Sequence, residues 1–201
     1  MNDEAAAEAV KNIAERVHKD QLRKDGKTPY IEHPRAVADM LRRWGVDYGY
    51  FGWTLAVAWG HDILEESPME DRDSLCREIE EKTGELSGKI LQGIKLLTRD
   101  KSIFPNKDDY IKAVAENAEQ PVLYVKIADR ICNTLDFLKM QSVDSSRDWR
   151  TKAREYFCKG RPLFEHLEKG ENVRCGVPDV ISDEIEAITR LLNGEKIGNL
   201  S

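Results

Sequence analysis

Apolar residues recur along this chain at helical spacing, one face at a time, and short polar or Gly/Pro clusters separate the runs. Ala6, Val10, Ile13, Ala14 and Val17 share a face and predict a first helix from about Asp3 to Arg23. Asp25-Gly26-Lys27-Thr28-Pro29 then reads as a loop. Pro34 suits the first turn of a second helix running to about Trp44, where Gly45 ends it. As the residue before that proline, His33 is expected in an extended conformation just outside the helix. A third helix is expected from about Tyr48 to Glu66, stopped by Pro68, and Asp71–Lys82 and Glu85–Leu97 predict two more. The polar stretch Thr98 to Lys107 leads to a helix at Asp108–Glu116, and Pro121 opens another that reaches about Met140. Arg147–Glu168 and Pro178–Asn193 complete the set. No stretch alternates with period 2, although Val122-Leu123-Tyr124-Val125 has local strand propensity. The fold class expected is all-α.

The 201 residues suit about one domain, and with 40% apolar residues a core of useful size is available. The longest apolar stretch, Trp53 to Trp59, falls far short of the roughly 20 residues a membrane span needs. The first residues, MNDEAAAEAV, are acidic and lack a basic-then-apolar signal pattern, so a cytoplasmic location is expected. Cys76, Cys132, Cys158 and Cys175 lie far apart and read as reduced thiols, not as a disulfide or zinc framework. A formal charge of −6 argues against a nucleic-acid partner, which calls for a basic footprint. A small anionic ligand needs only a local basic cluster, and His18-Lys19-Asp20-Gln21-Leu22-Arg23-Lys24, followed by Lys27, offers one. Trp44, Trp53, Trp59 and Trp149 suit either core burial or a homo-oligomeric interface.

The chemistry concentrates where the third helix, apolar nearly all round, presents His61 and Asp62 side by side. Burying a charge is costly unless it is paired or bound to a metal, and imidazole plus carboxylate is a sound ligand set for a divalent ion. On the dipeptide alone, the plainer reading is a buried His–Asp pair or a helix end emerging into water. The histidine distribution shifts that balance: of four, three fall in the first 61 residues, at His18, His33 and His61, while His166 reads as solvated. Glu65 falls one helical turn after His61 and is placed either to activate a water or in an exposed acidic end with Glu66. Lys126, Asp129, Asn133 and Asp136 form a polar stripe, which by periodicity is a solvated face with an ion pair or, less commonly, a cleft lining.

His33, then His61-Asp62, then Asp129 resembles the H…HD…D signature of the HD phosphohydrolase superfamily. His18-x-x-Gln21-x-Arg23-Lys24-x-Gly26 and Pro29-Tyr30-Ile31-x-His33-Pro34 resemble the opening of alarmone (ppGpp) hydrolase domains of RelA/SpoT-like enzymes. His61-Asp62-Ile63-Leu64-Glu65-Glu66 is similar to that family's HD-x-x-E-D segment, and Val125-Lys126-Ile127-Ala128-Asp129-Arg130-x-x-Asn133 to its K-x-A-D-R-x-x-N helix. The matched blocks run from His18 to about Asn133, and the likeness is to the small, stand-alone hydrolases.

The resemblance implies one HD-type helical bundle over residues 1–201, with a matched core at about 3–140 and extra C-terminal helices at about 141–201. It implies that His33, His61, Asp62 and Asp129 hold one divalent ion, manganese in most of the family. Glu65 and Glu66 would activate and position the water, Arg23 and Lys24 would lie along a guanine nucleotide, and Asn133 would contact its sugar or base. The expected reaction is hydrolysis of ppGpp to GDP and pyrophosphate. Departures from the family pattern bear on the substrate: Glu66 stands where the family has Asp, Ser67 where it has Thr, and Thr134-Leu135-Asp136 replaces an Arg-Thr-Leu-like run. The last removes a cation and adds a carboxylate, which favours a rival reading in which another nucleotide mono- or triphosphate is the substrate. A decayed nucleotide-binding regulatory module is the rival from a different class, and the intact ligand set counts against it. The polar loop at Thr98–Lys107 suits a mobile lid.

Overall fold

The computed structural model describes residues 2–46, 52–167 and 177–195. Among them ten α-helices follow in order: α1 (Asp3–Val17), α2 (Glu32–Arg43), α3 (Gly52–Gly60), α4 (Arg72–Thr83), α5 (Ser87–Leu97), α6 (Lys107–Asn117), α7 (Gln120–Met140), α8 (Trp149–Cys158), α9 (Arg161–Glu165) and α10 (Val177–Asn193). No strand is present among the described residues, only an isolated antiparallel bridge between Leu22 and Pro29. The protein is all-α, as the pattern predicts.

α3 sits at the centre because it has no polar side to turn outward. All nine of its residues are buried, and it packs on α1, α2, α5 and α7. One close approach is at Gly60, where any Cβ would come within 2.9 Å of Val10 and 2.5 Å of Ile94. α1 contributes small residues to the same seam, with Ala6, Ala7 and Ala14 buried beside Val10 and Ile13. Asn2 starts α1 by accepting the Ala5 N–H at 2.9 Å. α7 is the second axis: it packs on α2, α3, α8, α9 and α10. Val122–Val125, despite its strand propensity, is buried helix here, since tertiary packing outweighs a local preference.

Four element boundaries differ from the pattern-based expectation, each for a local reason. α1 ends at Val17, not Arg23. Beyond it the Arg23 and Tyr30 N–H groups donate to Thr28 and Gln21 carbonyls, at 2.8 and 2.9 Å, and that small hairpin uses the backbone a helix would need. His33 lies inside α2, not in an extended residue before it. Its N–H donates to the Tyr30 carbonyl at 2.9 Å, and Pro34 is tolerated because first-turn donors have no partner within the helix. α3 stops at Gly60, so His61, Asp62 and Glu65 are carried on turns past its end; the expected start at Tyr48 lies outside the described residues. There His61 Nδ1 lies 2.7 Å from the Ala58 carbonyl oxygen, which in a continued helix would accept from Asp62. The single helix expected over Arg147–Glu168 is two, α8 and α9, separated at Lys159-Gly160 and restarted by Pro162; Glu168 lies outside the described residues.

The loop between α5 and α6 is braced from within. Arg99 Nε donates to the Phe104 carbonyl at 2.9 Å and Arg99 Nη2 to that of Pro105 at 2.7 Å, while Asp100 accepts from the Ser102 hydroxyl at 2.6 Å. Such bonds describe a knitted loop more than a free lid. The four tryptophans are core residues, 3 to 8% exposed, so none offers an interface. Cys76, Cys132 and Cys158 are free thiols; Cys175 lies outside the described residues. No helix among the described residues is long and apolar enough to cross a membrane.

Candidate metal centre

Three elements bring the expected ligands together: the first turn of α2 supplies His33, the turn after α3 supplies His61 and Asp62, and the middle of α7 supplies Asp129. His33, His61 and Asp129 are all buried, and one donor atom from each lies within 4.8 Å of the others. His33 Nε2 stands 3.2 Å from Asp129 Oδ1 and 3.3 Å from His61 Nε2. Asp62 joins at the rim, its Oδ2 3.3 Å from His61 Nε2 and 3.7 Å from His33 Nε2. That oxygen also accepts a hydrogen bond from the Tyr30 hydroxyl at 2.8 Å.

The surroundings prepare these groups as ligands. Donation of His61 Nδ1–H to the Ala58 carbonyl fixes the ring with Nε2 facing His33. Burial opposes ionisation of both carboxylates, yet each is held below the ordinary range, Asp62 chiefly by His61 and Asp129 chiefly by Lys126. Burial likewise opposes charge on His61, but Asp62 outweighs it and raises the imidazole to about 9. Lys126 Nζ is 3.0 Å from Asp129 Oδ2, both side chains about a tenth exposed or less. The α7 polar stripe is therefore a cleft lining, buried at Lys126 and Asp129 and half-buried at Asn133 and Asp136, and not the solvated face that periodicity favours. Two imidazoles and an ionised carboxylate converging on one point, with a second ionised carboxylate at the rim, fit a divalent cation.

The acids assigned to the water are placed less tightly. Because α3 has ended, Glu65 does not share a helical face with His61; its Oε2 accepts the Arg99 N–H at 3.4 Å. Glu66 is exposed, and its carboxyl is raised by partial burial and by Asp62 and Glu65 nearby.

Next to the centre, between α2 and α7, lies a cavity of about 530 Å³ whose lining includes Arg23, Lys24, His33, Met40, Asn133 and Asp136. Arg23 Nη2 donates to Asn133 Oδ1 and to Asp136 Oδ2, both at 2.8 Å, and its guanidinium stands 5.2 Å above the Tyr30 ring. Asn133 Nδ2 donates in turn to Asp129 Oδ1, so Arg23 is linked to the centre through Asn133. His18 belongs to this network and not to a basic surface cluster: it is fully buried, held neutral by burial, and stacked 4.7 Å from Tyr30. His166 is exposed, as expected.

Residue-by-residue reasoning gave no role to Tyr30, which holds Asp62 and carries no signal besides its place in a motif block, whereas Lys126 stands in the polar stripe whose ion pair, with Asp129, the structure forms.

Comparison with known proteins agrees with this geometry. The family model described as HD domain matches residues 10–157, past the limit of about residue 140 read from the motifs. Similar proteins include the guanosine-3′,5′-bis(diphosphate) 3′-pyrophosphohydrolase of Aquifex aeolicus, 35% identical over 122 residues, 60% of this chain and 16% of that protein. The bifunctional (p)ppGpp synthase/hydrolase SpoT of Escherichia coli K12 is 32% identical over 130 residues, 60% of this chain and 16% of its own length. A GTP pyrophosphokinase of Streptomyces antibioticus is 33% identical over 164 residues, 80% of this chain and 18% of the relative. The chain thus spans under a fifth of the length of each.

Proposed function

This chain belongs to the HD domain family, and from that premise we propose that it is a cytoplasmic, manganese-dependent phosphohydrolase converting ppGpp to GDP and pyrophosphate. The observation that carries the reading is the buried convergence of His33, His61 and Asp129 with Asp62 at the rim, opening onto a cavity lined by Arg23, Lys24 and Asn133. Relatives named for 3′-pyrophosphohydrolase activity on guanosine-3′,5′-bis(diphosphate) supply the substrate class.

His33, His61, Asp62 and Asp129 would hold the ion, which supplies Lewis-acid polarisation of water and phosphate. Asn133 and Tyr30 keep the carboxylates of Asp129 and Asp62 oriented. Arg23 and Lys24 lie along the nucleotide. Glu65 and Glu66 position a water and take its proton as its oxygen bonds to the phosphorus next to the ribose 3′ oxygen. The P–O3′ bond breaks, the 3′ oxygen gains a proton, and GDP and pyrophosphate leave.

A substrate panel tests this. Metal-stripped protein reloaded with manganese is assayed on ppGpp, pppGpp, GTP, dNTPs and nucleoside monophosphates. Pyrophosphate release confined to the 3′-pyrophosphorylated nucleotides is the expected result; turnover of another nucleotide instead discards the alarmone assignment.

A further inference from the structure

His18 and Gln21 open the motif block that supplies Arg23 and Lys24, yet neither belongs to the buried trio of ligands nor lines the cavity between α2 and α7. His18 follows α1 and is fully buried. A buried imidazole costs free energy that a phenyl ring in the same place would not. Stacking on Tyr30, at 4.7 Å, is something a phenyl ring would do as well. What the imidazole adds is one hydrogen bond. Its Nδ1 lies 2.7 Å from Gln21 Oε1, while its Nε2, also buried, has no partner. That bond decides which way Gln21 turns its amide. With Oε1 accepting from His18 Nδ1–H, the Gln21 amide nitrogen is left to donate to the Glu66 carbonyl, at 3.3 Å.

The turn that Gln21 reaches needs a support from outside. α3 has ended at Gly60, and the Ile63 and Glu66 N–H groups still donate back to Gly60 and Asp62, both at 3.0 Å. In a continuing helix the Glu66 carbonyl would accept from residue 70. Pro68 ends the run, and Gln21 supplies the donor instead. The other end of the same turn is held by the same hairpin. Tyr30, whose N–H donates to the Gln21 carbonyl at 2.9 Å and whose ring rests on His18, gives its hydroxyl to Asp62. The hairpin therefore grips the Asp62–Glu66 segment at both ends, and it carries Arg23 between the two grips.

We propose that His18 and Gln21 are positioning residues for the hydrolytic step. They set the Glu66 end of the turn relative to the hairpin that holds the nucleotide, and so the placement of Glu65 and Glu66 against the phosphorus. This rests on the hydrolase reading above. Neither residue touches the nucleotide cavity or the ligand trio, so the pair governs the rate of the chemical step and not nucleotide or metal affinity.

The test takes two variants through two readouts: Gln21→Met, at a half-buried position, and His18→Phe, which keeps a ring stacked on Tyr30. On whichever nucleotide the wild type turns over, each variant lowers kcat by about tenfold or more, the scale on which a small displacement of a reacting group acts. KM and the calorimetric manganese affinity each stay within about twofold of wild type. Because the two residues act in series, the double variant is no slower than Gln21→Met alone. In the metal-free protein, amide deuterium exchange over residues 63–67 quickens in both variants while that of α7 is unchanged. Full kcat in Gln21→Met, losses that multiply in the double variant, or a KM or manganese dissociation constant that rises as far as kcat falls overturns the proposal, as does unchanged exchange. Exchange that obeys the variants in a protein inert toward every nucleotide upholds the brace while the hydrolase reading falls.

Discussion

His61 carries the most direct residue-scale consequence. Its imidazole is raised from 6.5 to about 9, Asp62 outweighing the opposing effect of burial. An imidazolium has no lone pair to offer, so a divalent ion must displace that proton. Manganese affinity therefore climbs with pH from 6.5 toward 9, by about tenfold per unit for one proton released, and levels off above. The sign is reversed for the metal-free fold. A raised pKa contributes its full stabilisation below 6.5 and loses it as pH rises through about 9. Calorimetry of manganese binding between pH 6.5 and 8.5 checks this, and a flat affinity profile contradicts it. Asp136 is the other informative residue. The extra carboxylate, which in the sequence argued for a different substrate, is bonded to Arg23 and so holds the guanidinium beside the Tyr30 ring. Asp136→Leu releases Arg23 and raises KM for ppGpp by about three- to tenfold with kcat nearly unchanged. The stability change stays under about 1 kcal/mol, since Asp136 is 38% exposed. A fall in kcat at constant KM would place Asp136 in the chemistry instead.

At the scale of elements, α7 bears both the core and the centre. From Pro121 to Cys132 every residue is buried, Lys126, Asp129 and Arg130 included. Charges inside a packed helix persist only when paired, so removing one partner is worse than removing both. Asp129→Leu in the metal-free protein is expected to lose about 3 kcal/mol, because Lys126 remains buried without its carboxylate. Adding Lys126→Met recovers most of that loss while manganese binding stays absent. Urea unfolding of the two variants decides the matter: a double variant no more stable than the single one shows that the ion pair is not the source. The same helix shows why the sequence left the centre ambiguous. Periodicity placed Lys126, Asp129, Asn133 and Asp136 on one stripe, but a stripe facing water and a stripe facing a cleft have the same spacing. Only the position of α2, which brings His33 to 3.2 Å from Asp129, separates them.

For the molecule as a whole, the apolar pattern was enough to predict an all-helical fold and, within a few residues, the spans of α4 to α7 and α10. It misplaced the ends that matter most to the site. α1 stops early because the hairpin from Gln21 to Tyr30 takes its backbone, and α3 stops early at Gly60, where the Ala58 carbonyl turns to His61 Nδ1, a side-chain contact that apolar spacing does not register. Motif resemblance, not periodicity, pointed to His33, His61, Asp62 and Asp129 together; the fold gathers His33, His61 and Asp129 and sets Asp62 at the rim. The central claim is that those four ligands make one divalent-metal centre on which turnover depends. Its most direct test is a manganese titration of the metal-stripped protein, following pyrophosphate release from ppGpp beside a His61→Ala/Asp62→Ala variant. Activity that saturates at one ion per chain in the wild type and is lost in the variant is the predicted result; full turnover in excess chelator, or in the variant, contradicts the account.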